Sequence, residues 1–310
     1  MEMHEIEYKV SVCIVTYNQE KYIRQCLQSI VDQKTNFHFE IVVGVDFSTD
    51  NTRSIVESFV EKYPNKVRAI FHEKNIGGVQ NYFSVHDSAK GQYIAHVDGD
   101  DYILQDKLQR QSDFLDANYG CQIVWHRMKI LNEFTNKIYV QQFDSNYIVD
   151  HRWFLDDVLA NITIGLHSSK MYRRWDRTIK LATPSALDFS ENVIQLYETG
   201  GYCAFVNSEA LGVYRTGIGV SKNTKFIRVK LYEWFYFFYS KGVGNKNIIA
   251  AKVLLMVLSD LKYRIGSFGF GLLVLSRTIR SLIPFRVFEC RSRMAPVTLA
   301  PSIDEAVESL

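Results

Sequence analysis

The sequence predicts an α/β protein with a mostly parallel sheet flanked by helices and a helical C-terminal segment. Between residues 9 and 126, short β-branched runs alternate with segments of helical period, which is the pattern of βαβ units. The run 39–45 is apolar almost throughout, as expected of a strand buried on both faces. With 310 residues, 47% hydrophobic and 23% charged, the chain can bury a substantial core, so a disordered or disulfide-stapled protein is excluded.

The elements follow one another in a regular order. The first strand is predicted at 10–15, and the helix after it carries Ile23, Leu27, Ile30 and Val31 on one face. The alternation continues with strands at 39–45, 67–71, 92–97 and 122–126 and with helices at 51–63, 79–89 and 104–118. A hairpin at 128–131 and 137–143 follows, and then helices at 151–160 and 188–199 and strands at 163–168, 202–206 and 210–214.

We expect three parts in the chain: the α/β domain at 1–221, a basic amphipathic helical region at 222–294 and an acidic, flexible tail at 295–310. The middle part holds 14 basic and 3 acidic side chains, against 22 basic and 31 acidic ones elsewhere. Its longest uncharged run, 265–276, has 12 residues, whereas a membrane-spanning helix needs about 18 to 20. The region is therefore predicted to lie on an anionic membrane, or alternatively to pack against the body with a solvated basic face.

Two signals indicate a cytosolic protein. The N-terminus is polar and has no apolar run of the kind found in signal peptides. The five cysteines are odd in number, and no two of them are spaced like zinc ligands or a redox pair, which favours reduced thiols.

Candidate ligand-binding residues follow the predicted strands. In an open parallel sheet, the loops at the carboxyl ends of the strands meet at one crevice. The loops at 16–20, 46–52 and 98–101 are polar or acidic, whereas the loop after the third strand contains Gly77 and Gly78. These glycines permit close backbone approach to a ligand, or they simply make a turn.

The strongest chemical signal is the loop Asp98-Gly99-Asp100-Asp101. Three carboxylates within four residues repel one another, and a hard divalent cation would relieve that repulsion. Mg²⁺ and Mn²⁺ are commonly held by one or two carboxylates together with phosphate oxygens, so the loop suits a nucleotide diphosphate. The alternative is a surface turn in which Gly99 makes the bend and the aspartates are solvated or cap the next helix.

The loop after the second strand offers two more carboxylates. Asp46 stands at the strand end, where it could accept hydrogen bonds from a base or a ribose. Asp50 stands just before a helix, and we favour helix capping for it.

Taken together, these loops resemble those of the family 2 glycosyltransferases, especially enzymes of bacterial surface polysaccharides such as O-antigen and capsule. The fold of that family is the nucleotide-sugar-binding type called GT-A. The resemblance runs through most of residues 9–221. Its motifs are Val15 to Asn18 followed by Glu20, the loop Asp46 to Thr52, the segment Asn75 to Asn81, and Asp98-Gly99-Asp100.

The resemblance implies a role for the matched residues. The uridine of a UDP-sugar would be held by Thr16, Tyr17, Asn18 and Asp46, and the donor site would also include Asn75 and Gly77. Asp98 would contact ribose or metal, and Asp100 would bind the divalent cation, Mn²⁺ or Mg²⁺, directly. Asp188 opens a helix in what looks like the acceptor-side segment, so it would be the general base.

Sugar transfer explains why two acidic sites are needed. Negative charge develops on the leaving diphosphate, and a cation with Asp100 as ligand would stabilise it. A second carboxylate must take the proton of the acceptor hydroxyl on the opposite face of the sugar, which inverts the anomeric carbon. The alternative reading of Asp188 is an ordinary helix N-cap.

This chain departs from the family pattern at two positions. Many relatives have a His where this chain has Gly217, and often a Glu where it has Leu187. Arg215 or Lys222 is therefore a candidate to neutralise the diphosphate, which would make the metal partly dispensable.

Other polar and aromatic residues receive no catalytic role from the sequence. His96, His126, His151 and His167 do not fall at metal-ligand spacing, and a lone histidine beside a strand is usually structural. Three tryptophans are interpreted as core residues, with stacking on an acceptor sugar as the alternative: Trp125, Trp153 and Trp175.

The expected partners are a UDP-sugar that donates a hexose or N-acetylhexosamine and a glycan acceptor linked to polyprenyl diphosphate. No nucleic acid is expected, because the apolar runs of the basic region are too long for a surface that tracks phosphates. A lipid-linked acceptor favours a peripheral position on the cytosolic face of the bacterial inner membrane. The alternatives are a noncatalytic membrane scaffold and a sugar-phosphate nucleotidyltransferase, which should carry a glycine-rich loop where this chain has 16–21.

Overall fold

A seven-stranded sheet lies at the centre of the computed structural model, which describes residues 7–141, 151–162, 164–179, 188–206, 209–218 and 224–278. The strands are β1 (Val10–Thr16), β2 (Phe39–Val45), β3 (Val67–Phe71), β4 (Tyr93–Asp98), β5 (Tyr102–Ile103), β6 (Cys121–Trp125), β7 (Lys129–Asn132), β8 (Lys137–Val140), β9 (Met171–Arg173), β10 (Tyr202–Phe205) and β11 (Gly212–Thr216). The large sheet has the order β10-β6-β9-β4-β1-β2-β3, and β9 alone runs antiparallel to its neighbours. The predicted, mostly parallel sheet is confirmed.

A second sheet has four strands, in the order β5-β11-β7-β8. Strands β7 and β8 are antiparallel, with Leu131 opposite Ile138, which confirms the predicted hairpin in its described part. Residues 142 and 143 of that prediction lie outside the described residues. Because β11 pairs with β5 just after the acidic loop, it brings Arg215 beside that loop.

Helices cover both faces of the large sheet. They are α1 (Ile23–Val31), α2 (Thr52–Lys62), α3 (Gly78–Asp87), α4 (Lys107–Ala117), α5 (Leu155–Asn161), α6 (Asp188–Thr199), α7 (Thr224–Lys241), α8 (Lys246–Lys262) and α9 (Phe268–Thr278). Apolar side chains of α1, α2 and α4 form the core on one face. Side chains of α3, α5 and α6 form the core on the other face, together with those of α7, α8 and α9.

The close packing of α3 on β2 depends on Gly44. A Cβ atom there would lie 2.1 Å from Asn81 Oδ1 and 2.4 Å from Val85 Cγ2. The Asn81 amide instead donates a hydrogen bond of 2.9 Å to the Gly44 carbonyl oxygen. This contact fixes the start of α3, and therefore the loop before it, against the carboxyl end of the sheet.

The strand predicted at 163–168 is wrong. Residue 163 lies outside the described residues, and the segment after it forms a turn with a 3-10 helix at His167–Ser169 before β9 begins at Met171. The turn is stabilised by tertiary contacts, because the Ser168 side chain is fully buried and the Lys107 ammonium donates to its carbonyl oxygen at 2.6 Å. Such contacts are invisible in the local pattern.

The described part of the basic region packs on the body. The rings of Phe189 in α6 and Phe235 in α7 lie 5.3 Å apart, and the backbone N–H of Asn245 donates to Asp156 Oδ1 at 3.2 Å. Among the described helices, none is both long and apolar enough to cross a membrane. The expected boundary near residue 221, Lys222 and the acidic tail at 295–310 lie outside the described residues.

Candidate active site

A cavity of about 850 Å³ opens at the carboxyl ends of β1, β2 and β4. Parallel strands present their following loops at the same sheet edge, so residues distant in sequence meet there. The described residues that the sequence predicts for donor binding all line the cavity: Thr16, Tyr17, Asn18, Asp46, Asn75, Gly77, Asp98 and Arg215. Asp100, the predicted metal ligand, lines it as well.

Hydrogen bonds join the first two loops along one wall of the cavity. The backbone N–H of Thr49 donates to Asn18 Oδ1 at 2.8 Å, and Asn18 adopts a positive φ of 51°. Asp50 accepts from the backbone N–H groups of Glu20 and Thr52, each at 3.0 Å. The second contact pairs the backbone N–H of Thr52, the first residue of α2, although Asn51 and not Asp50 occupies the N-cap position. The Tyr17 ring remains 48% exposed.

Asp46 connects the second loop to the third. Its carboxylate accepts the backbone N–H groups of Ile76 at 2.7 Å and Gly77 at 2.9 Å, and the side chain is almost completely buried. Gly77 has a φ of 84°, a conformation that favours glycine, and its N–H also lies 3.1 Å from Asn75 Oδ1. Asp46 therefore holds the third loop in place at the cavity, independently of any ligand.

The three aspartates of the acidic loop have separate environments. Asp101 is buried and accepts hydrogen bonds from Ser168 Oγ at 2.5 Å and from the Arg215 backbone N–H at 2.8 Å. Burial, followed by the charges of Asp98 and Asp100, raises its pKa well above the usual range. These contacts indicate a structural role for Asp101.

Asp98 lies between two imidazoles. Its Oδ1 atom is 3.0 Å from His96 Nε2 and 3.6 Å from His167 Nδ1. Burial alone would raise the pKa of Asp98, but His167 and His96 hold it well below its ordinary value. Burial lowers the pKa of His96 to about 4, so that ring is neutral at pH 7.

For Asp100, the effects that raise the pKa outweigh those that lower it, which include the charge of Arg215 and a hydrogen bond with Gln19. Burial and the nearby charge of Asp98 raise its pKa to about 6. A divalent cation would relieve this repulsion, and carboxylate oxygens are the ligands that Mg²⁺ and Mn²⁺ prefer. Asp98 and Asp100 both line the cavity, so their carboxylates are available to a cation there. A second possible set of ligand atoms, from His96, Asp98 and His167, lies within 4.8 Å of one another.

Arg215 lines the cavity, but its guanidinium already contacts the protein. Nε lies 2.6 Å from Glu133 Oε1, Nη2 donates to Gln25 Oε1 at 2.5 Å, and Nη1 donates to the backbone oxygen of Asp100. Tyr22 and Tyr102 present their rings to it at 4.9 and 5.0 Å. The carboxylate of Glu133 therefore offsets part of the positive charge that Arg215 brings to the cavity.

The predicted base, Asp188, is the first residue of α6, and its side chain is 51% exposed. Its Oδ1 atom lies 3.3 Å from Nε2 of His167, whose Nδ1 faces Asp98. The carboxylates of Asp188 and Asp98 raise the pKa of His167, although burial acts in the opposite direction. Leu187 lies outside the described residues.

The interpretation of the tryptophans as core residues is confirmed for two of them. Trp125 and Trp153 are each 1% exposed. Trp175 instead lines a second cavity of about 640 Å³, and its indole N–H donates to Glu198 Oε2 at 2.8 Å. His126 is buried and its Nδ1 lies 2.6 Å from the Arg127 carbonyl oxygen, in agreement with a structural role.

Sequence reasoning missed the histidines around Asp98. Spacing could not reveal them, because His86 comes from α3, His96 from β4 and His167 from the 3-10 turn. One signal was available: His96 interrupts an otherwise apolar strand, and a buried imidazole needs polar partners. Its Nδ1 lies 2.9 Å from His86 Nε2, and His86 Nδ1 lies 2.6 Å from the Tyr172 hydroxyl oxygen.

Comparison with solved structures supports the same fold. The structure of Staphylococcus aureus TarS 1–349 in complex with UDP-GlcNAc superposes with a TM-score of 0.66 at 21% identity, covering 92% of this chain and 88% of that one. The mannosyltransferase PcManGT from Pyrobaculum calidifontis, in complex with GDP-Man and Mn²⁺, gives a TM-score of 0.52 at 15% identity and covers 93% and 84%. These likenesses show a GT-A fold.

Sequence relatives extend the comparison. Rv1520, an uncharacterized protein of Mycobacterium tuberculosis, is 34% identical over 125 residues, which are 40% of this chain and 36% of that protein. The putative teichuronic acid biosynthesis glycosyltransferase TuaG of Bacillus subtilis is 34% identical over 228 residues, covering 74% of this chain and 86% of TuaG. The family model described as glycosyl transferase family 2 matches residues 11–175, more than half of the chain. With its motifs, fold and these matches in agreement, the chain belongs to glycosyl transferase family 2.

Proposed function

We propose that this family 2 glycosyltransferase moves a hexose or N-acetylhexosamine from a UDP-sugar to a glycan acceptor during synthesis of a surface polysaccharide. The cavity carries the proposal, because it combines the expected donor-binding side chains with the carboxylates of Asp98 and Asp100. Asp188 lies on the other side of the His167 ring, so a second carboxylate is available near the donor site.

The proposed reaction is a single displacement. An acceptor hydroxyl oxygen attacks the anomeric carbon while the bond from that carbon to the diphosphate oxygen breaks, and UDP leaves with the bonding electrons. Asp188 takes the proton of the attacking hydroxyl, for which its half-exposed carboxylate is accessible. Attack opposite the leaving group inverts the anomeric carbon. No glycosyl-enzyme intermediate forms.

We assign the cation site to Asp100, with Asp98 as a second ligand. A cation bound there would stabilise the charge that develops on the leaving diphosphate. The raised pKa of Asp100 supports this assignment, since burial and the charge of Asp98 disfavour its ionised form more than Arg215 and Gln19 favour it. PcManGT, which is described with GDP-Man and Mn²⁺, gives further support.

Relatives guide the choice of donor and acceptor class. TarS is named a poly(ribitol-phosphate) β-N-acetylglucosaminyltransferase, and one of its structures holds UDP-GlcNAc. TuaG is named for teichuronic acid biosynthesis. We infer a UDP-sugar donor and a polysaccharide acceptor from these names, and we propose a polyprenyl-diphosphate link for that acceptor.

Attachment to the cytosolic face of the bacterial inner membrane is the remaining part of the proposal. The stretch 261–278 contains three basic residues and no acidic one. Its exposed side chains mix apolar and basic groups: Leu261, Lys262, Tyr263, Arg264, Phe270, Leu272, Leu273 and Arg277. Such a surface complements anionic lipid head groups and the apolar layer beneath them.

Calorimetric titration of UDP into the purified chain tests the donor site. We expect binding with Mn²⁺ and a large loss of affinity after EDTA is added, because the acidic loop repels the diphosphate without a cation. Equal affinity in both conditions would contradict the metal assignment. Absence of binding in both would contradict the proposed UDP-sugar donor.

A further inference from the structure

The His167 ring occupies the space between the two carboxylates that serve different halves of the reaction. Nδ1 faces Asp98 Oδ1 at 3.6 Å, and Nε2 faces Asp188 Oδ1 at 3.3 Å. Asp98 lines the donor cavity, whereas Asp188 begins α6. One imidazole therefore spans the gap between the donor side and the acceptor side.

Rigid neighbours hold the ring in this orientation. The His96 ring is stacked on it with centroids 3.6 Å apart and an interplanar angle of 26°. The Tyr82 ring lies 5.7 Å away at 23°. His96 belongs to the central strand β4 and is fully buried, and the backbone N–H of Lys170 donates to the His167 carbonyl oxygen at 3.0 Å. The ring is thus supported by the sheet.

The same contacts argue against His167 as the base itself. Each ring nitrogen faces a carboxylate, so neither has a lone pair directed at an incoming hydroxyl. The side chain is 18% exposed, whereas that of Asp188 is 51% exposed. Asp188 can reach an acceptor, and His167 can only act through it.

We propose that His167 is a positioning residue that holds Asp188 at a fixed place relative to the donor-side carboxylate Asp98. The inference rests on the proposed function, in which Asp188 takes the acceptor proton. A base must lie within hydrogen-bond reach of the hydroxyl, and a displacement of about 1 Å can cost about 100-fold in rate. His167 thereby links the geometry of acceptor activation to that of donor binding.

Two substitutions test the role. His167→Ala removes both contacts, whereas His167→Gln keeps an amide N–H that can reach the Asp188 carboxylate. UDP release from UDP-N-acetylglucosamine, with water as acceptor, gives kcat and KM, and calorimetry with Mn²⁺ gives UDP affinity. We expect His167→Ala to lower kcat about 10-fold to 100-fold, the range seen for residues that orient a site, with UDP affinity changed less than threefold.

His167→Gln should recover most of the lost kcat. His126→Gln is the matched control, because His126 is also buried but contacts a backbone carbonyl, and it should leave kcat near the wild-type value. Thermal unfolding of each variant checks that the protein is folded. A parallel loss of kcat and Mn²⁺-dependent UDP affinity in His167→Ala would overturn the inference in favour of a role at the donor site, through Asp98 or the cation, and an unchanged kcat would also overturn it.

A double mutant separates this inference from the proposed function. In the Asp188→Asn background, His167→Ala should cause no further loss, because there is no base left to position. If the fold-losses of kcat in the two single variants multiply in the double variant, His167 acts independently of Asp188, and the inference is overturned. If Asp188→Asn alone keeps wild-type turnover, the base assignment fails, and that result is distinct from any result at His167.

Discussion

Carboxyl groups only one or two residues apart in the acidic loop differ in their surroundings and hence in their chemistry. Asp98 is stabilised in its charged form by His167 and His96. Asp101 is buried and bonded to Ser168 and the Arg215 backbone. Asp100 faces the cavity with a pKa raised to about 6. The environment, and not the residue type, therefore decides which aspartate suits a cation.

The raised pKa of Asp100 predicts a pH dependence. The pKa of Asp100 in the folded protein lies above its ordinary value, so protonated Asp100 stabilises the metal-free fold at low pH. This contribution to the free energy of unfolding is lost as the pH rises through about 6. A cation requires the deprotonated form, so Mn²⁺-dependent UDP affinity should fall about tenfold per pH unit below 6. Calorimetry between pH 5 and 8 measures this, with Asp100→Asn as control. The variant should bind UDP weakly at every pH, and a wild-type response in it would contradict the assignment.

Replacement of Asp188 tests the base. Asp188→Asn keeps the size of the side chain and removes its basicity, so turnover should fall about 100-fold to 10,000-fold while UDP affinity with Mn²⁺ stays unchanged. UDP release from UDP-N-acetylglucosamine measures turnover. Asp113→Asn, on the exposed side of α4, is the matched control and should be silent. Near wild-type turnover in Asp188→Asn would refute the assignment.

At the scale of elements, the cavity depends on how closely α3 packs on β2. The loop before α3 carries Asn75 and Gly77, and Asp46 at the end of β2 binds its backbone. The Asn81 amide donates a hydrogen bond to the Gly44 carbonyl oxygen, and its Oδ1 atom lies 3.1 Å from Nε2 of His72, the residue after β3. One buried side chain therefore joins α3 to both β2 and the end of β3. A shift of the helix would therefore change the donor site.

Gly44→Ala tests this packing. The new Cβ atom would meet Asn81 Oδ1 at 2.1 Å, so α3 must move, and overpacking of this kind typically costs about 1–3 kcal/mol. Gly269→Ala, in α9 and outside the cavity lining, is the control, because its Cβ atom meets none of the described residues within 4 Å. Urea denaturation and UDP titration should show reduced stability and affinity only for Gly44→Ala. Equal behaviour of the two variants would contradict the packing argument.

At the scale of the whole molecule, the C-terminal helices share a core with the α/β body. Phe235 and Phe238 of α7 pack against Phe189 of α6. Asp260 of α8 is fully buried, accepts from the Tyr232 hydroxyl at 2.9 Å and lies 3.3 Å from Arg228 Nε. Removal of these helices would expose apolar surface of the body. A truncated protein could therefore lose membrane binding simply because it no longer folds.

Surface substitutions test the proposed membrane contact without that difficulty. Leu272 and Leu273 are 44% and 49% exposed on α9, and burying a leucine contributes about 1.5–3 kcal/mol. The double variant Leu272→Glu and Leu273→Glu should lower sedimentation with anionic liposomes more than tenfold. Ile138→Glu, 56% exposed on β8, is the control and should pellet like the wild type. Unchanged pelleting of the double variant would refute this surface as the anchor.

The sequence predicts both the alternation of strands and helices and the loops that line the donor cavity. Both follow from local patterns: the period of apolar residues distinguishes strand from helix, and parallel strands place their following loops at one edge. The sequence therefore assigns Asp46, Asp98 and Asp100 to one crevice, and all three line it.

The position of Asp188 relative to that crevice depends on tertiary contacts. The His167 ring that spans the gap comes from a turn whose residues looked like a strand, and its support, His96, looked like one more strand residue. Tertiary contacts also pair Arg215 with Glu133 and place apolar side chains of the described basic helices in the core. Each of these outcomes depends on contacts between residues far apart in the chain, and a local pattern of polarity and spacing contains no information about such pairs.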